Sequence, residues 1–322
     1  MLDGEPVRFT GVNVWNATDN PAAPEYRGNP LDLSTASAGF GPGIHVVRVW
    51  FFQRLATSHG GARDWSTFDN TLRAAREHNL KVIAVLGNQW ADCEGYGSAE
   101  AGYRSDQWYR AGYRDESPPD QPSTYLGWVR EVVSRYRLDP TIMMWQLMNE
   151  PEDATSFRGR CPSDAGTMLR SFVSEVGREV RAIDGRHLLG VGTIGSGQCG
   201  TADLDYVRLN ASRYLDVADY HDYSLDVVPG DQWNGLAVRA HEMAQLGKPL
   251  IVSEIGVIPE QVGGLEQRAS LVNDKIVADF ELGIRAALVW TWQPVAGGAA
   301  NAASYDVGPG DPLLARLAGL SR

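Results

Sequence analysis

Short apolar runs alternate with amphipathic runs along the chain, and the apolar runs are rich in β-branched residues. Within each run the apolar character is nearly continuous, which is typical of strands that are covered on both faces. The pattern predicts eight strands, namely Arg8–Trp15, Ile44–Phe52, Lys81–Gly87, Thr141–Met148, His187–Ile194, Leu215–His221, Pro249–Glu254 and Ala286–Trp292.

Apolar residues at three- and four-residue steps predict helices between several of these strands. The clearest stripes run through Trp128–Tyr136, Leu169–Ile183 and Leu265–Phe280. Alternating strands and helices predict an α/β fold, a single (β/α)8 barrel, and we expect residues 1–322 to form one catalytic domain. A polar stretch rich in Gly and Tyr, Asp92–Pro122, separates the third and fourth strands, and we interpret it as an active-site loop.

Charge and composition narrow the class of function. The 322 residues include 29 Lys and Arg against 40 Asp and Glu, a net charge of −11, which argues against binding to nucleic acid or to an anionic membrane. No apolar stretch approaches the ~20 residues that a membrane span needs. Gly190–Gly195 fits the dinucleotide pattern GxGxxG, but it follows four strand–helix units and further glycines precede any helix. We therefore expect no cofactor, and the scattered His and Asp residues predict no metal.

The ends of two predicted strands carry isolated carboxylates. Strand 4 runs into Glu150 and strand 7 ends at Glu254. Because chemistry in these barrels lies at the C-terminal ends of the strands, we expect the two side chains to face each other across the barrel mouth. Hydrolysis of a glycosidic bond needs such a pair: one group protonates the leaving oxygen, and the other attacks or stabilises the anomeric carbon.

Neighbouring residues divide the roles between the two carboxylates. We assign Glu254 as the nucleophile because Arg48 and Tyr223 are placed to donate to it and to favour its charged form. We assign Glu150 as the acid/base, since the nearby charge of Glu254 helps it to hold a proton. Asn149 is free to bond a sugar 2-hydroxyl. Alternatives are solvated strand-end glutamates and a purely structural ion pair for Arg48.

Several other polar and aromatic residues are candidates for contact with a sugar. Indole rings stack on the CH faces of pyranose rings. The candidate platforms lie at strand ends and are Trp15, Trp50, Trp90 and Trp292, of which Trp292 is the strongest and Trp50 fits a core position equally well. His221 either binds substrate or caps the barrel rim, and Asn88 either contacts sugar hydroxyls or closes a turn.

Three segments together resemble a known group of enzymes. Trp145–Glu152 (WQLMNEPE), Ala218–Tyr223 (ADYHDY) and Val252–Gly256 (VSEIG) resemble the retaining glycoside hydrolases whose catalytic glutamates follow strands 4 and 7. Within that clan the chain is most similar to glycoside hydrolase family 5, and within family 5 to the endo-β-1,4-mannanases. The resemblance implies double displacement with retention and no cofactor. It also implies substrate contact by Arg48, Asn149, His221, Tyr223 and Trp292.

Two positions depart from the mannanase pattern. Ser253 precedes Glu254 where an acidic or aromatic residue is usual, and Asp222 follows His221 where an aliphatic residue is usual. We therefore expect a monomeric retaining endo-β-glycosidase that prefers β-1,4-mannan, with β-1,4-glucan or another β-glycan as alternatives. Exo action, transglycosylation and a carbohydrate-binding barrel without turnover also remain open. Its expected partner is a polysaccharide or oligosaccharide.

The cysteines and the start of the chain bear on its compartment. Cys93, Cys161 and Cys199 fall in loops after strands 3, 4 and 5, at one end of the predicted barrel. We predict a disulfide between Cys161 and Cys199, with three free thiols as the alternative. The first residues show no charged-then-apolar leader, so an export signal has been removed or never existed. From the habit of the family and the size of the substrate we expect secretion.

Overall fold

The computed structural model describes residues 8–19, 32–58, 60–90, 92–96, 98–293 and 302–320. Eight parallel strands form one sheet. Their bounds are β1 Phe9–Asn13, β2 Val46–Trp50, β3 Lys81–Val85, β4 Ile142–Asn149, β5 Leu188–Gly192, β6 Ala218–Asp222, β7 Leu250–Ile255 and β8 Ala286–Val289. Each predicted strand overlaps one observed strand. The largest differences are three residues: β6 begins three residues after its predicted start, and β8 stops three residues before its predicted end.

The order of the strands curls the sheet into a barrel. Neighbours in sequence are neighbours in space, and β1 pairs with β8, so that the order is β5-β4-β3-β2-β1-β8-β7-β6. Across the remaining seam, β5 and β6 share a bridge between Gly190 and Val217. The predicted (β/α)8 barrel is confirmed.

Helices surround the strands, and the three clearest apolar stripes all lie on helices. The helices are α1 Leu33–Ser37, α2 Ser66–Glu77, α3 Ala99–Gly102, α4 Tyr113–Asp115, α5 Tyr125–Tyr136, α6 Ala165–Ile183, α7 Leu204–Asn210, α8 Leu236–Leu246, α9 Pro259–Val262, α10 Leu265–Glu281 and α11 Pro312–Leu317. Short 3-10 and π turns cover Gln53–Ala56 and Trp108–Gly112. In the described part of the chain, none of the helices combines the length and the apolar character that crossing a bilayer requires.

The apolar core has two parts, which explains why the strands are apolar on both faces. The larger part lies between the strands and the helices. A smaller cluster fills the interior of the barrel and consists of Val46, Ile83, Met144, Val217, Ile251, Ala286 and Leu288. Several of these residues come two positions before polar residues that face the same interior. The apolar cluster is therefore the floor on which the polar site rests.

A disulfide ties together two loops at the C-terminal end of the barrel. Cys161 follows β4 and Cys199 follows β5, and their Cα atoms are 5.1 Å apart. The pair joined in the structure is the pair predicted from the sequence, and Cys93 has a free thiol. The bond holds the loop that follows Glu150 against the loop that follows β5.

Candidate active site

A layer of polar side chains lies above the apolar floor of the barrel. Because side chains alternate along a strand, residues two positions after an inward-facing apolar residue also face inward. Arg48 follows Val46 on β2 in this way, and Gln146 follows Met144 on β4. The same step leads from Val217 to Asp219 on β6 and from Ile251 to Ser253 on β7, and all four polar residues are buried.

Glu254 lies at the end of β7 and is almost completely buried, with 3% of the residue exposed. Its Oε1 accepts a hydrogen bond from Nη1 of Arg48 at 2.5 Å, and its Oε2 accepts one from the Tyr223 hydroxyl. The two donors fix the orientation of the carboxylate, one on each oxygen. The structure therefore brings Arg48 and Tyr223 to Glu254 as the sequence predicts.

One glycine and two asparagines hold Tyr223 and Arg48 against Glu254. A Cβ at Gly256 would lie 2.4 Å from the ring of Tyr223, so only glycine lets the tyrosine approach the end of β7. Arg48 is fixed by amide oxygens as well as by Glu254: it donates to Asn13 at 3.0 Å and to Asn149 at 2.6 Å. Its guanidinium cannot rotate away from the carboxylate without breaking these bonds.

Glu150 directly follows β4 and has an unusual backbone conformation. Its φ angle is +50°, in the left-handed region that residues with a side chain seldom adopt, and its N–H donates to the carbonyl oxygen of Gly192 at 2.6 Å. Such strain is typical of functional positions. Its Oε2 accepts a hydrogen bond from Nε1 of Trp90 at 2.6 Å, and its Oε1 lies 2.7 Å from Nδ1 of His221.

Burial changes the pKa values of Glu150 and His221 in opposite directions. Burial raises the pKa of Glu150, although the Trp90 indole and the Arg48 charge both oppose the rise. Burial also lowers the pKa of His221, against the charges of Glu254 and Asp219, and so favours a neutral imidazole. A carboxyl group that keeps its proton and a neutral histidine beside it form a combination suited to proton donation.

The two carboxylates meet at the barrel mouth. Oxygen atoms of Glu150 and Glu254 and a ring nitrogen of His221 all lie within 4.8 Å of one another. The same three residue types can bind a divalent metal ion in other proteins. Here, however, Arg48 and Trp90 already donate hydrogen bonds to the carboxylates. The trio therefore fits proton transfer and nucleophilic attack better than metal binding.

Asn149 and Asn88 also join the site, but Asn149 is less free than expected. Its Oδ1 accepts from Arg48, and its Nδ2 donates to Oδ1 of Asn88 at 3.1 Å. The amide of Asn149 keeps a second hydrogen for a sugar hydroxyl. Asn88 orients that amide, and its Oδ1 also accepts from the backbone N–H of Trp90 at 3.4 Å, which fits the turn-closing alternative. Its contact with sugar hydroxyls stays a prediction.

The tryptophan predictions need correction at the end of β8. Trp292 is 1% exposed and packs edge-on against Phe40, with ring centroids 4.8 Å apart, so the prediction that it is a sugar platform is wrong. Because β8 ends at Val289, Trp290 takes the place directly after the strand and is partly exposed. Trp50 is 4% exposed and stacks on Phe52, which corrects its platform role to a core role.

Three tryptophans keep some exposed surface near the strand ends. Trp15 and Trp90 are partly buried, and Trp90 reaches the site through its bond to Glu150. The ring centroids of Trp290 and Trp50 are 5.8 Å apart, and the Arg48 guanidinium lies over the Trp50 ring. Of the indoles, Trp90 and Trp290 are the best placed to contact a bound ring.

Replacing Trp290 and Trp292 separately distinguishes a sugar platform from a core residue. We expect Trp290→Ala to raise KM about fivefold, because stacking contributes on the order of 1 kcal/mol, with little change in the free energy of unfolding. Trp292→Ala instead should lower the free energy of unfolding by about 3–5 kcal/mol, because it opens a cavity. Steady-state kinetics and urea denaturation of both variants check this. Equal KM values in the parent and Trp290→Ala would contradict the assignment of Trp290.

Sequence reasoning missed three residues of the polar layer, Gln146, Asp219 and Ser253. Each is a polar residue inside an otherwise apolar strand, and a buried polar group needs a partner. This reasoning identified Glu254 as the expected partner of Arg48, and it applies equally to Asp219 in the strand segment LDVADYH. The identity of the partners required the structure.

Comparison with known proteins shows the family of the chain. A family profile described as "Cellulase (glycosyl hydrolase family 5)" matches residues 2–292. The chain belongs to glycosyl hydrolase family 5. This confirms the family predicted from the NEP and SEIG segments.

The similarity to mannanases predicted from the sequence is also found among curated members of family 5. The chain is 30% identical over 272 residues to Mannan endo-1,4-beta-mannosidase 8 of Oryza sativa subsp. japonica, an alignment covering 67% of this chain and 66% of the relative. It is 27% identical over 291 residues to Mannan endo-1,4-beta-mannosidase A of Hypocrea jecorina, covering 79% of this chain and 61% of the relative. The chain thus spans less than two thirds of the length of each.

Solved structures of a mannanase and a cellulase share the fold. An endo-1,4-beta-mannanase from Rhizomucor miehei matches with a TM-score of 0.75 and 19% identity, covering 99% of this chain and 94% of that chain. An endocellulase from Pyrococcus horikoshii, in complex with cellotetraose, matches with a TM-score of 0.65 and 14% identity, covering 98% and 93%. At these identities the likeness shows the barrel and nothing finer.

Proposed function

We propose that the protein is a retaining endo-β-1,4-glycosidase in which Glu254 is the nucleophile and Glu150 the acid/base. One observation carries this proposal: carboxylate oxygens of the two residues lie within 4.8 Å of each other. Retaining enzymes place their carboxyl groups about 5–5.5 Å apart, whereas inverting enzymes leave about 6.5–9.5 Å for a water molecule. The close approach of the two carboxylates supports the retaining mechanism over the inverting one.

In the first step Glu254 attacks the anomeric carbon while Glu150 transfers its proton to the leaving oxygen. The bond between the anomeric carbon and that oxygen breaks, and a glycosyl ester of Glu254 forms. Arg48 and Tyr223 hold the carboxylate of Glu254 through hydrogen bonds before the attack. The raised pKa of Glu150 keeps the acid protonated at pH values where an ordinary glutamate has lost its proton.

In the second step Glu150, now ionised, removes a proton from water, and the resulting oxygen attacks the anomeric carbon. The ester bond breaks and Glu254 leaves as a carboxylate. The ester carries no charge, so the repulsion that favoured protonated Glu150 is weaker at this stage. This change in charge makes one residue an acid in one step and a base in the next.

We propose β-1,4-mannan as the preferred substrate and β-1,4-glucan as the alternative. The names of both curated relatives specify mannan, which supports mannan as the preferred substrate. The similarity in fold to an endocellulase that binds cellotetraose supports glucan as the alternative. We further propose that residues 1–322 act as one monomeric domain.

We also propose that the protein works outside the cell. A polymeric substrate cannot reach a cytoplasmic enzyme, and the disulfide between Cys161 and Cys199 fits an oxidising compartment. Extracellular activity in a culture of the source organism would test this proposal.

The function is tested by following products from mannan and from β-1,4-glucan. We expect NMR to show the β-anomer as the first product, because two displacements restore the configuration, and product sizing to show internal cleavage. A first product with the α-configuration would contradict double displacement. Single sugars released from chain ends would indicate exo action, and binding of both polymers without turnover would favour a carbohydrate-binding barrel.

A further inference from the structure

The polar layer beneath the two glutamates converges on one carboxylate, that of Asp219. The residue lies on β6 and is 1% exposed. Its Oδ1 accepts from the backbone N–H groups of Ser253 at 3.0 Å and Tyr220 at 2.8 Å. Its Oδ2 accepts from Nε2 of Gln146 at 2.5 Å and from the Ser253 hydroxyl at 2.6 Å. Both oxygens are therefore surrounded by donors.

The hydrogen bond from Ser253 to Asp219 determines which ring nitrogen of His221 carries a hydrogen. A hydroxyl has a single hydrogen, and when Ser253 donates it to Asp219, its oxygen is left as an acceptor. Nε2 of His221 lies 3.1 Å from that oxygen and must then carry a hydrogen. In a neutral imidazole with a hydrogen on Nε2, Nδ1 is an acceptor.

The acceptor Nδ1 of His221 faces Glu150. The distance from Nδ1 to Oε1 of Glu150 is 2.7 Å, and a hydrogen bond at this distance needs a donor. The donor can only be the protonated carboxyl group of Glu150. The chain of hydrogen bonds that runs from Asp219 through Ser253 and His221 therefore ends at Glu150, whose carboxyl group is protonated.

We propose that Asp219 is a positioning residue that, through Ser253, fixes the tautomer of His221 and so retains the proton on Glu150. The inference rests on the proposed function, in which Glu150 is the acid. It also gives a role to Ser253, the residue that departs from the mannanase pattern. A serine can accept and donate at once, which this relay requires.

A second arm runs from Asp219 toward the nucleophile. Because Nε2 of Gln146 donates to Asp219, Oε1 of Gln146 points at Arg48, where it accepts from Nε at 2.9 Å and from Nη2 at 2.6 Å. Asp219 thereby orients the amide that holds the guanidinium on Glu254. One buried carboxylate positions the partners of both glutamates.

Other charged and titratable groups also act on the relay. Those facing His221 or Glu150 lie on β2, after β4, after β6 and on β7, and are Arg48, Glu152, Tyr223 and Glu254. Burial raises the pKa of Asp219 itself, against the Arg48 charge and the hydrogen bonds from Ser253. A protonated Asp219 would donate to Ser253, reverse the relay and place the hydrogen of His221 on Nδ1, where it favours ionised Glu150.

Ser253→Ala tests the relay because it removes the hydroxyl and leaves the arm through Gln146 intact. We expect the basic limb of kcat/KM on polysaccharide to move about one pH unit lower, because His221 can then carry its hydrogen on Nδ1 and stabilise ionised Glu150. Near the parent's basic limb this lowers the rate on polysaccharide about tenfold. An aryl glycoside with an acidic leaving group needs no proton and should lose less than about threefold.

A matched control removes a buried hydroxyl outside the relay. The hydroxyl of Thr193 donates to the backbone carbonyl of Asp219 at 2.7 Å, and Thr193→Val should leave both pH profiles unchanged. Ser253→Thr keeps a hydroxyl, so the basic limb of its pH profile should match that of the parent. This variant still tests the proposal if Ser253→Ala folds poorly. Equal basic limbs in Ser253→Ala and the parent, or equal shifts in Ser253→Ala and Thr193→Val, would overturn the proposal.

The tautomer of His221 gives a test that does not depend on turnover. Nitrogen NMR of the imidazole should show the hydrogen on Nε2 in the parent at neutral pH, and a shift toward Nδ1 in Asp219→Asn, whose amide can donate to Ser253. A hydrogen on Nδ1 in the parent would overturn the inference even in an active enzyme. A parent that shows the Nε2 tautomer but cleaves no β-glycan would instead contradict the proposed function.

Discussion

Replacing Glu254 by Gln is expected to reduce kcat on any β-glycoside by at least roughly ten-thousand-fold while leaving the fold intact. The amide has the shape of the carboxylate, but it cannot attack the anomeric carbon or form the glycosyl ester. Its oxygen can still accept a hydrogen bond from Arg48, so the buried guanidinium keeps a partner. Initial rates, circular dichroism and urea denaturation measure the two effects separately.

The control for Glu254 is a glutamate far from the site. Glu266 lies on α10 with 72% of its side chain exposed, and Glu266→Gln should match the parent in both rate and stability. A 2-fluoro glycosyl fluoride should also label the parent on Glu254, as shown by peptide mass spectrometry. A label on Glu150, or a parent-like rate in Glu254→Gln, would reverse or remove the assignment of the nucleophile.

Replacing Glu150 by Ala is expected to give a loss that depends on the leaving group. Polysaccharide hydrolysis should fall by about 10²–10⁴-fold, because the leaving oxygen receives no proton. An aryl glycoside with an acidic leaving group should still form the ester of Glu254, which then breaks down slowly without a base. Azide needs no base and should accelerate that second step, giving a β-glycosyl azide detectable by NMR.

The pH dependence of the parent follows from the same residue. Burial raises the pKa of Glu150, and activity on polysaccharide should fall as the pH rises through that pKa, because the acid loses its proton. Glu150→Ala should lose this basic limb. Glu266→Gln, the remote control used above, should retain the limb and show no azide product. An azide effect equal in both variants would contradict the role of Glu150.

The fold was predictable because its signal is repeated along the chain. Each of the eight strands is buried by helices outside and by neighbouring strands and the barrel interior inside, so its residues are apolar on both faces. The end of β8 was less predictable. Ala286–Trp290 is apolar throughout, so no polar residue marks the point at Val289 where strand pairing stops. The prediction for Trp292 failed for this reason.

The sequence by itself determined the barrel, the family and the two glutamates, because these depend on strand periodicity and on short motifs directly after strands. It also indicated that Arg48 needs an anionic partner, since a buried charge is costly alone. Only the tertiary structure decided the contacts between strands: that Trp290 is partly exposed whereas Trp292 is buried, and that Asp219 connects Ser253, Gln146 and the two glutamates. Hydrogen bonds join side chains distant along the chain, as Arg48 and Glu254 are, and their geometry depends on how the strands are aligned around the barrel.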